Sequence, residues 1–222
     1  PEIVYKMYRN IHLRGQEHLR EKCGLRYDIS CFTGHKLGRE FFKTYGHYHP
    51  HLVWHYKLSW PEVYEVLYGR AIFLLQQVDD IYRDPYYVRV LDVIAVEAKV
   101  GDKVIMPPNY GHVTINPDPD TPLVMANWVC DWFRSYYESV TECRGFAYYL
   151  IEGDGGPQWI VNRTYRQPVP ELRKARSKPV PEAGLYEGKP MYLAAVEESE
   201  KFEWVCRPQD YLELIWANLE IE

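Results

Sequence analysis

Between residues 39 and 129 the chain alternates short apolar runs with Gly, Pro, Asn and Asp. Runs at Arg39–Tyr45, Val63–Tyr68, Ala71–Val78, Tyr86–Val96, Lys103–Met106, His112–Ile115 and Leu123–Val129 are rich in Val, Ile, Tyr and Phe. Short segments of that composition, bounded by turn formers, predict strands. Tyr68-Gly69-Arg70 predicts a tight connection between two of them. Many short strands at this spacing predict an all-β sandwich or barrel rather than alternating strands and helices. The pattern weakens on both sides. Residues 1–30 are mixed and charged, with weak helical spacing around Arg14–Arg20, and predict an irregular arm on the domain edge. After Tyr137, Phe146–Glu152 and Gln158–Val161 flank Gly153–Pro157, a hairpin signal. Residues 167–190 hold five prolines and little apolar content, which predicts a connecting segment. Met191–Val196 and Phe202–Cys206 predict two more strands. Pro208–Asn218 predicts a helix with Leu212, Ile215 and Trp216 on one face. The expected organisation is an arm over 1–37, a barrel over 38–137 and an extension over 138–222 packed on the barrel.

Composition changes this picture little. A chain of 222 residues with 46% hydrophobic residues can bury a core without staples. Its formal net charge of −5 gives no electrostatic reason to bind nucleic acid or an anionic membrane. No apolar run approaches the roughly 20 residues that span a bilayer. The opening residues lack a secretory pattern. The five cysteines contain no C-x-x-C pair, so neither a disulfide framework nor a zinc ribbon is expected. A reducing, cytoplasmic setting follows as the expectation.

The chemistry concentrates in one place. Four of the eight histidines are His47, His49, His51 and His55. On a strand, His47 and His49 share a face with Tyr48 opposite. Paired neutral imidazoles suit a first-row divalent ion. Pro50 interrupts a strand, so His51 and His55 are read as loop residues without a ligand role. Downstream stand Glu62 and then Gly69. Gly101 to Asn116 reads G-x5-P-x-N-x2-H-x3-N, with His112 at its histidine.

These residues resemble the two cupin motifs, H-x-H with a following Glu-x6-Gly, and G-x5-P-x-G-x2-H-x3-N. Asn109 stands in place of the second motif's Gly, and Asn tolerates positive φ best among the other residues. Twelve residues separate His49 from Glu62 where three or four are usual, which predicts a bulging loop over 50–61. The runs G-x-E-F-F-x-T-x-G-H-x-H from Gly38, Glu62-Val63-Tyr64 and Pro107 to His112 are similar to the cupin-type glucose-6-phosphate isomerases of archaea. The resemblance covers roughly residues 25–137.

That resemblance implies a cupin or jelly-roll β-barrel. It also implies one divalent transition metal (Fe, Mn, Ni or Zn) on His47, His49, Glu62 and His112. Thr44 and Gly46 fall where the family touches the sugar phosphate, and Ser30 where it has a phosphate-binding hydroxyl. Tyr64 falls on an active-site tyrosine and Tyr137 near another. Asn109 replaces an aromatic and Ser135 stands at an expected His. The implied reaction is interconversion of glucose 6-phosphate and fructose 6-phosphate by a homodimer, through an enediol or a direct hydride shift. Glu62 and Tyr64 are the candidate catalytic groups. Two other readings remain open at this point: a different metallocupin enzyme, dioxygenase or epimerase-like, and a cupin that binds a sugar without turnover.

Overall fold

The computed structural model describes residues 5–53, 57–84 and 86–222. His55 lies outside the described residues. The strands in chain order begin with β1 (Tyr5–Tyr8), β2 (Leu25–Phe32), β3 (Lys36–Leu37), β4 (Glu40–Phe41), β5 (His51–Val53), β6 (Leu58–Ser59), β7 (Glu62–Tyr68) and β8 (Arg70–Val78). They continue with β9 (Val90–Lys99), β10 (Lys103–Met106), β11 (Tyr110–Ile115), β12 (Leu123–Cys130), β13 (Tyr148–Gly153), β14 (Gly156–Val161), β15 (Arg173–Ser177) and β16 (Leu219–Ile221). Helices are short: α1 (His18–Glu21), α2 (Glu138–Glu142), α3 (Met191–Glu197) and α4 (Leu212–Trp216).

Two five-stranded sheets form the barrel, one in the order β1-β2-β12-β7-β10 and the other β11-β8-β9-β15-β16. Side chains alternate between the faces of each strand. On β8, Ala71, Phe73 and Leu75 point between the sheets, where they meet Tyr64 and Val66 of β7, Ile94 and Val96 of β9, and Leu123 and Met125 of β12. The intervening Ile72 and Leu74 point outward, against Phe41, Phe146, Ala147 and Leu150. The first of these sheets is buried on its outer face too. Leu25, Tyr27, Val63, Ala126 and Trp128 pack there on Met191, Ala194, Phe202, Trp204 and Ile215 of the C-terminal segment. The fold is therefore an all-β, jelly-roll barrel of the cupin kind, with a covering layer on each side. Burial on both faces explains why its strands read as near-continuous apolar runs.

Several expectations need correction. Among the described residues the arm expected over 1–30 is only partly irregular: β2 lies between β1 and β12, paired with β12 from Leu25↔Cys130 to Phe32↔Leu123. The run Arg39–Tyr45 yields only the two-residue β4, because the chain then crosses to run beside β11. Residues 173–177 of the proline-rich connector form β15, which pairs parallel with β9. Met191–Val196 is helical, burying Met191, Ala194 and Ala195 at helical spacing. The buried Glu65 carboxylate accepts the Met191 N–H at 2.8 Å and satisfies one of that helix's free donors. Phe202–Cys206 belongs to a 3₁₀ run over Ser199–Val205 that buries Phe202, Trp204 and Val205. All five cysteines are free thiols.

Trp204 is 1% exposed and donates Nε1–H to the Ala183 carbonyl at 3.1 Å. Trp204→Ala should lower unfolding free energy by about 3–5 kcal/mol, the scale of truncating a buried aromatic. Denaturant titration followed by far-UV circular dichroism measures it. A loss below about 1 kcal/mol would mean that the C-terminal layer is only loosely attached.

Candidate metal centre

The site begins with a backbone irregularity. Thr44 N–H donates to the Thr114 carbonyl at 2.9 Å. His47 and His112 then exchange both backbone bonds, at 3.2 and 3.0 Å. From Thr44 to His47 the chain advances three residues while β11 advances two, which is a β-bulge. Gly46 takes up the extra length at φ +81°. A Cβ there would stand 3.2 Å from Val113 Cβ and 3.4 Å from the His112 carbonyl, so this position needs glycine on two counts. Beyond the bulge, Tyr48 points away into the outer core, and His47 and His49 both face the cleft.

Glu62 and His112 arrive from the two sheets, on β7 and β11. The four donor atoms, three Nε2 and Glu62 Oε2, lie within 4.8 Å of one another. Glu62 Oε2 is 3.1 Å from His112, 3.3 Å from His49 and 3.9 Å from His47. His47 and His49 Nε2 are 3.2 Å apart. Burial pushes the His47 imidazolium well down, and its histidine neighbours push it further. Burial lowers His112 as well, against the pull of Glu62. Burial would raise Glu62, but hydrogen bonds and attraction from His112 and His49 outweigh it and hold the carboxyl well below its usual range. Burial thus disfavours the charged forms of His47 and His112 beside the Glu62 carboxylate, which keeps their ring nitrogens open to a divalent ion.

Neighbouring groups fix these donors. His49 Nδ1 donates to the Trp60 carbonyl at 2.8 Å, which leaves its Nε2 lone pair facing the centre. Trp60 stacks on Phe133, which also packs on the His49 ring. Asn127 Nδ2 donates to Glu62 Oε1 at 2.6 Å and turns Oε2 toward the imidazoles. Tyr64 O is 3.3 Å from His112 Nε2, and burial beside Glu62 keeps its hydroxyl protonated. The donor set and its supports fit one divalent transition ion.

The expected sugar-phosphate residues line the same open cleft, of about 780 Å³. Ser30 sits on β2, buried between Met7 and Met125 on the neighbouring strands. The Thr44 hydroxyl accepts the Thr114 N–H at 3.0 Å and keeps its own proton to donate. Gly46 lies on the wall and Tyr137 at the rim, its ring 5.4 Å from that of His47. Ser135 is also on the lining. His51 is on β5, edge-on to Tyr82 and apart from the cluster. Among the described residues of the inserted loop, β5 pairs antiparallel with β6. Asn109 has φ +69°, and it trades hydrogen bonds with Ser59, backbone N–H to side-chain oxygen in both directions at 2.9 and 2.6 Å. Asparagine thus supplies both the turn and the clamp for the insertion. Sequence reasoning missed Asn127, Trp60, Phe133 and a charged group just after β1 and on β2: Arg9, Arg26 and Asp28. The strand register pairs Asn127 with Tyr64, diagonal to Glu62, and no motif in the sequence marks it.

Asn127→Ala should lower metal affinity about 10- to 100-fold, the usual effect of removing a group that orients a ligand. His112→Ala should abolish stoichiometric binding. Metal content after dialysis measures both, and unchanged stoichiometry in His112→Ala would contradict the assignment.

The family model for glucose-6-phosphate isomerase (GPI) matches residues 1–168. The glucose-6-phosphate isomerase of Pyrococcus furiosus is 26% identical over 165 residues, 74% of each chain. That of Pyrococcus abyssi is 28% identical over 164 residues, again 74% of each. Among solved structures, a recombinant oxalate oxidase in complex with glycolate aligns at TM-score 0.40 and 10% identity, over 61% of this chain and 55% of that one. Vicilin from hazelnut aligns at TM-score 0.40 and 10% identity, over 59% and 31%. The match over three quarters of the chain decides the matter: this protein belongs to the glucose-6-phosphate isomerase (GPI) family.

Proposed function

We propose that the protein is a metal-dependent aldose–ketose isomerase that interconverts glucose 6-phosphate and fructose 6-phosphate. Its ligands are His47, His49, Glu62 and His112, holding one Fe, Mn, Ni or Zn ion. The observation that carries this reading is the convergence of four metal donors in a cleft that Ser30, Thr44, Gly46 and Tyr137 also line, in a chain of this family.

The metal, when bound, supplies a Lewis acid that polarises the oxygens at C1 and C2. Glu62, oriented by Asn127 and serving as ligand and base in turn, would take the proton from one of these carbons and return it to the other, while the hydroxyl proton passes from one oxygen of the enediol to the other. Tyr64, protonated and beside His112, donates a hydrogen bond to the oxygen on which charge develops. Ser30, Thr44 and the Gly46 N–H donate to the phosphate, and Tyr137 closes the rim. A direct hydride shift between C1 and C2 would use the same ligands without a base at carbon, the hydroxyl proton passing from one oxygen to the other.

Glu62→Gln separates the two routes. With metal retained, kcat should fall about 10²-fold or more if Glu62 is the base. An unchanged kcat would leave the hydride shift. Loss of turnover on chelation, restored by Mn or Fe, tests the function itself, and an inactive metal-loaded protein would contradict it.

The reading extends to a homodimer. Both faces of the barrel sheets are covered by the chain's own layers, so a second copy would meet a sheet edge, of which β1 is one. Its residues are exposed, and its outer edge pairs with no other strand among the described residues. Light scattering at micromolar concentration should give about twice the chain mass of 26.4 kDa. A monomer would reject it. An enzyme of this reaction serves glycolysis and gluconeogenesis, and five free thiols accord with a cytoplasmic setting. Among the described residues no helix is long and apolar enough to cross a membrane.

A further inference from the structure

The cleft-facing side of the β1-β2-β12-β7-β10 sheet is a lattice of cross-strand rows. One row runs Arg26, Val129, Glu62, the next Asp28, Asn127, Tyr64, and the next Met7, Ser30, Met125, Val66. Tyr5, Met7 and Arg9 alternate along β1 and its continuation, and all three line the cleft. Glu62 thus stands on β7, with β12 and then β2 beside it at about 4.8 Å per strand, and β1 forms the outer edge of the sheet.

The charges at that end are unequally committed. Asp28 is 1% exposed and receives a bidentate contact from Arg26, with Nε and Nη2 at 3.0 and 2.9 Å. Arg26 also donates Nη1–H to Asp131 at 2.8 Å. The Asn10 N–H adds a bond to Asp28 Oδ1 at 2.9 Å. Asp28 is therefore already satisfied. Arg9 only approaches it, Nη1 to Oδ2 at 3.6 Å, beyond good hydrogen-bond distance, and its side chain is 54% exposed. Its other contact, Nη2 to the Met7 sulfur at 3.8 Å, is weak. Its guanidinium is a cation held at the cleft wall with most of its donors open. Between it and the metal donors, Asn127 Oδ1 is buried without a hydrogen-bond partner, an acceptor facing the space that a sugar hydroxyl would fill.

We propose that Arg9 recognises the phosphoryl group of the substrate, opposite the Ser30 and Thr44 hydroxyls. This rests on the isomerase reading and adds to it a cationic contact. A dianion held by hydroxyls and one backbone N–H alone lacks a compensating charge, and a guanidinium supplies it in a planar fork that matches two phosphoryl oxygens. The sugar then lies between the metal donors over β7 and Arg9 beyond β2, with its hydroxyls along the Asp28-Asn127-Tyr64 row.

The test compares metal-loaded wild type with Arg9→Met and Arg9→Lys. In Arg9→Met, KM for glucose 6-phosphate should rise about 10- to 100-fold, the equivalent of losing a charged hydrogen bond. Its kcat should stay within about twofold, since the contact is the same in ground and transition states. The competitive inhibition constant of inorganic phosphate should rise in parallel, and Arg9→Lys should recover part of both. Unchanged KM and unchanged phosphate inhibition in Arg9→Met would overturn the proposal. So would a raised KM with unchanged phosphate inhibition, which would make Arg9 a prop for Asp28. Failure of the isomerase reading has a different signature, an inactive wild type. Calorimetric titration with inorganic phosphate then still decides whether binding depends on Arg9.

Discussion

The paired backbone bonds between His47 and His112 are the constraint on which the site depends. They bind two segments 65 residues apart in the chain, and each carries a metal donor. The bulge before them sets the direction of His47 and, two residues on, of His49. Without a left-handed residue at position 46 the strand would keep its regular alternation, and both imidazoles would turn to the opposite face. A glycine of this kind reads as a contact for substrate when only its place in a motif is considered. Its φ of +81° and the crowding by Val113 give it a second task that is independent of any ligand.

The surrounding layers make that geometry rigid. Each sheet is packed on both faces, so neither can flex without disturbing a core. The C-terminal segment beyond residue 168, outside the family match, covers the back of the strands that present Glu62 and Asn127. Trp128, on the outer face of β12, sits next to Asn127 on its inner face, so packing behind the sheet fixes the group that orients the carboxylate. The polar residues of the cleft include the buried Asp28, Ser30, His49, Glu62, His112 and Asn127. They stand together on neighbouring strands, where metal and substrate can satisfy them.

The barrel was legible in the sequence where strands are apolar on both faces: β7, β8, β10 and β12 lie within a residue or so of the runs that predict them. β2 was not, for a physical reason. Its inward positions are Arg26, Asp28 and Ser30, polar because they face the cleft, while Leu25, Tyr27 and Ile29 face the C-terminal layer. Its alternation is genuine but looks like a charged arm. β15 was hidden because backbone pairing with β9 holds it, with Ala175 its one buried side chain. α3 was misread because its buried residues are Met191 and two alanines, a short run that periodicity alone cannot assign. For the site, motif spacing reached the four donors. It could not reach Asn127, Trp60 or Arg9, which act through register and through contacts between distant segments.

The most direct measurement is anomalous X-ray scattering from crystals grown with Mn(II) and glucitol 6-phosphate, a sugar phosphate that cannot isomerise. The account predicts one manganese peak at bonding distance from the Nε2 atoms of His47, His49 and His112 and from Glu62 Oε2. The sugar should reach from it toward Ser30 and Thr44. A manganese peak elsewhere, or none in a crystal that binds the sugar phosphate in this cleft, would contradict it.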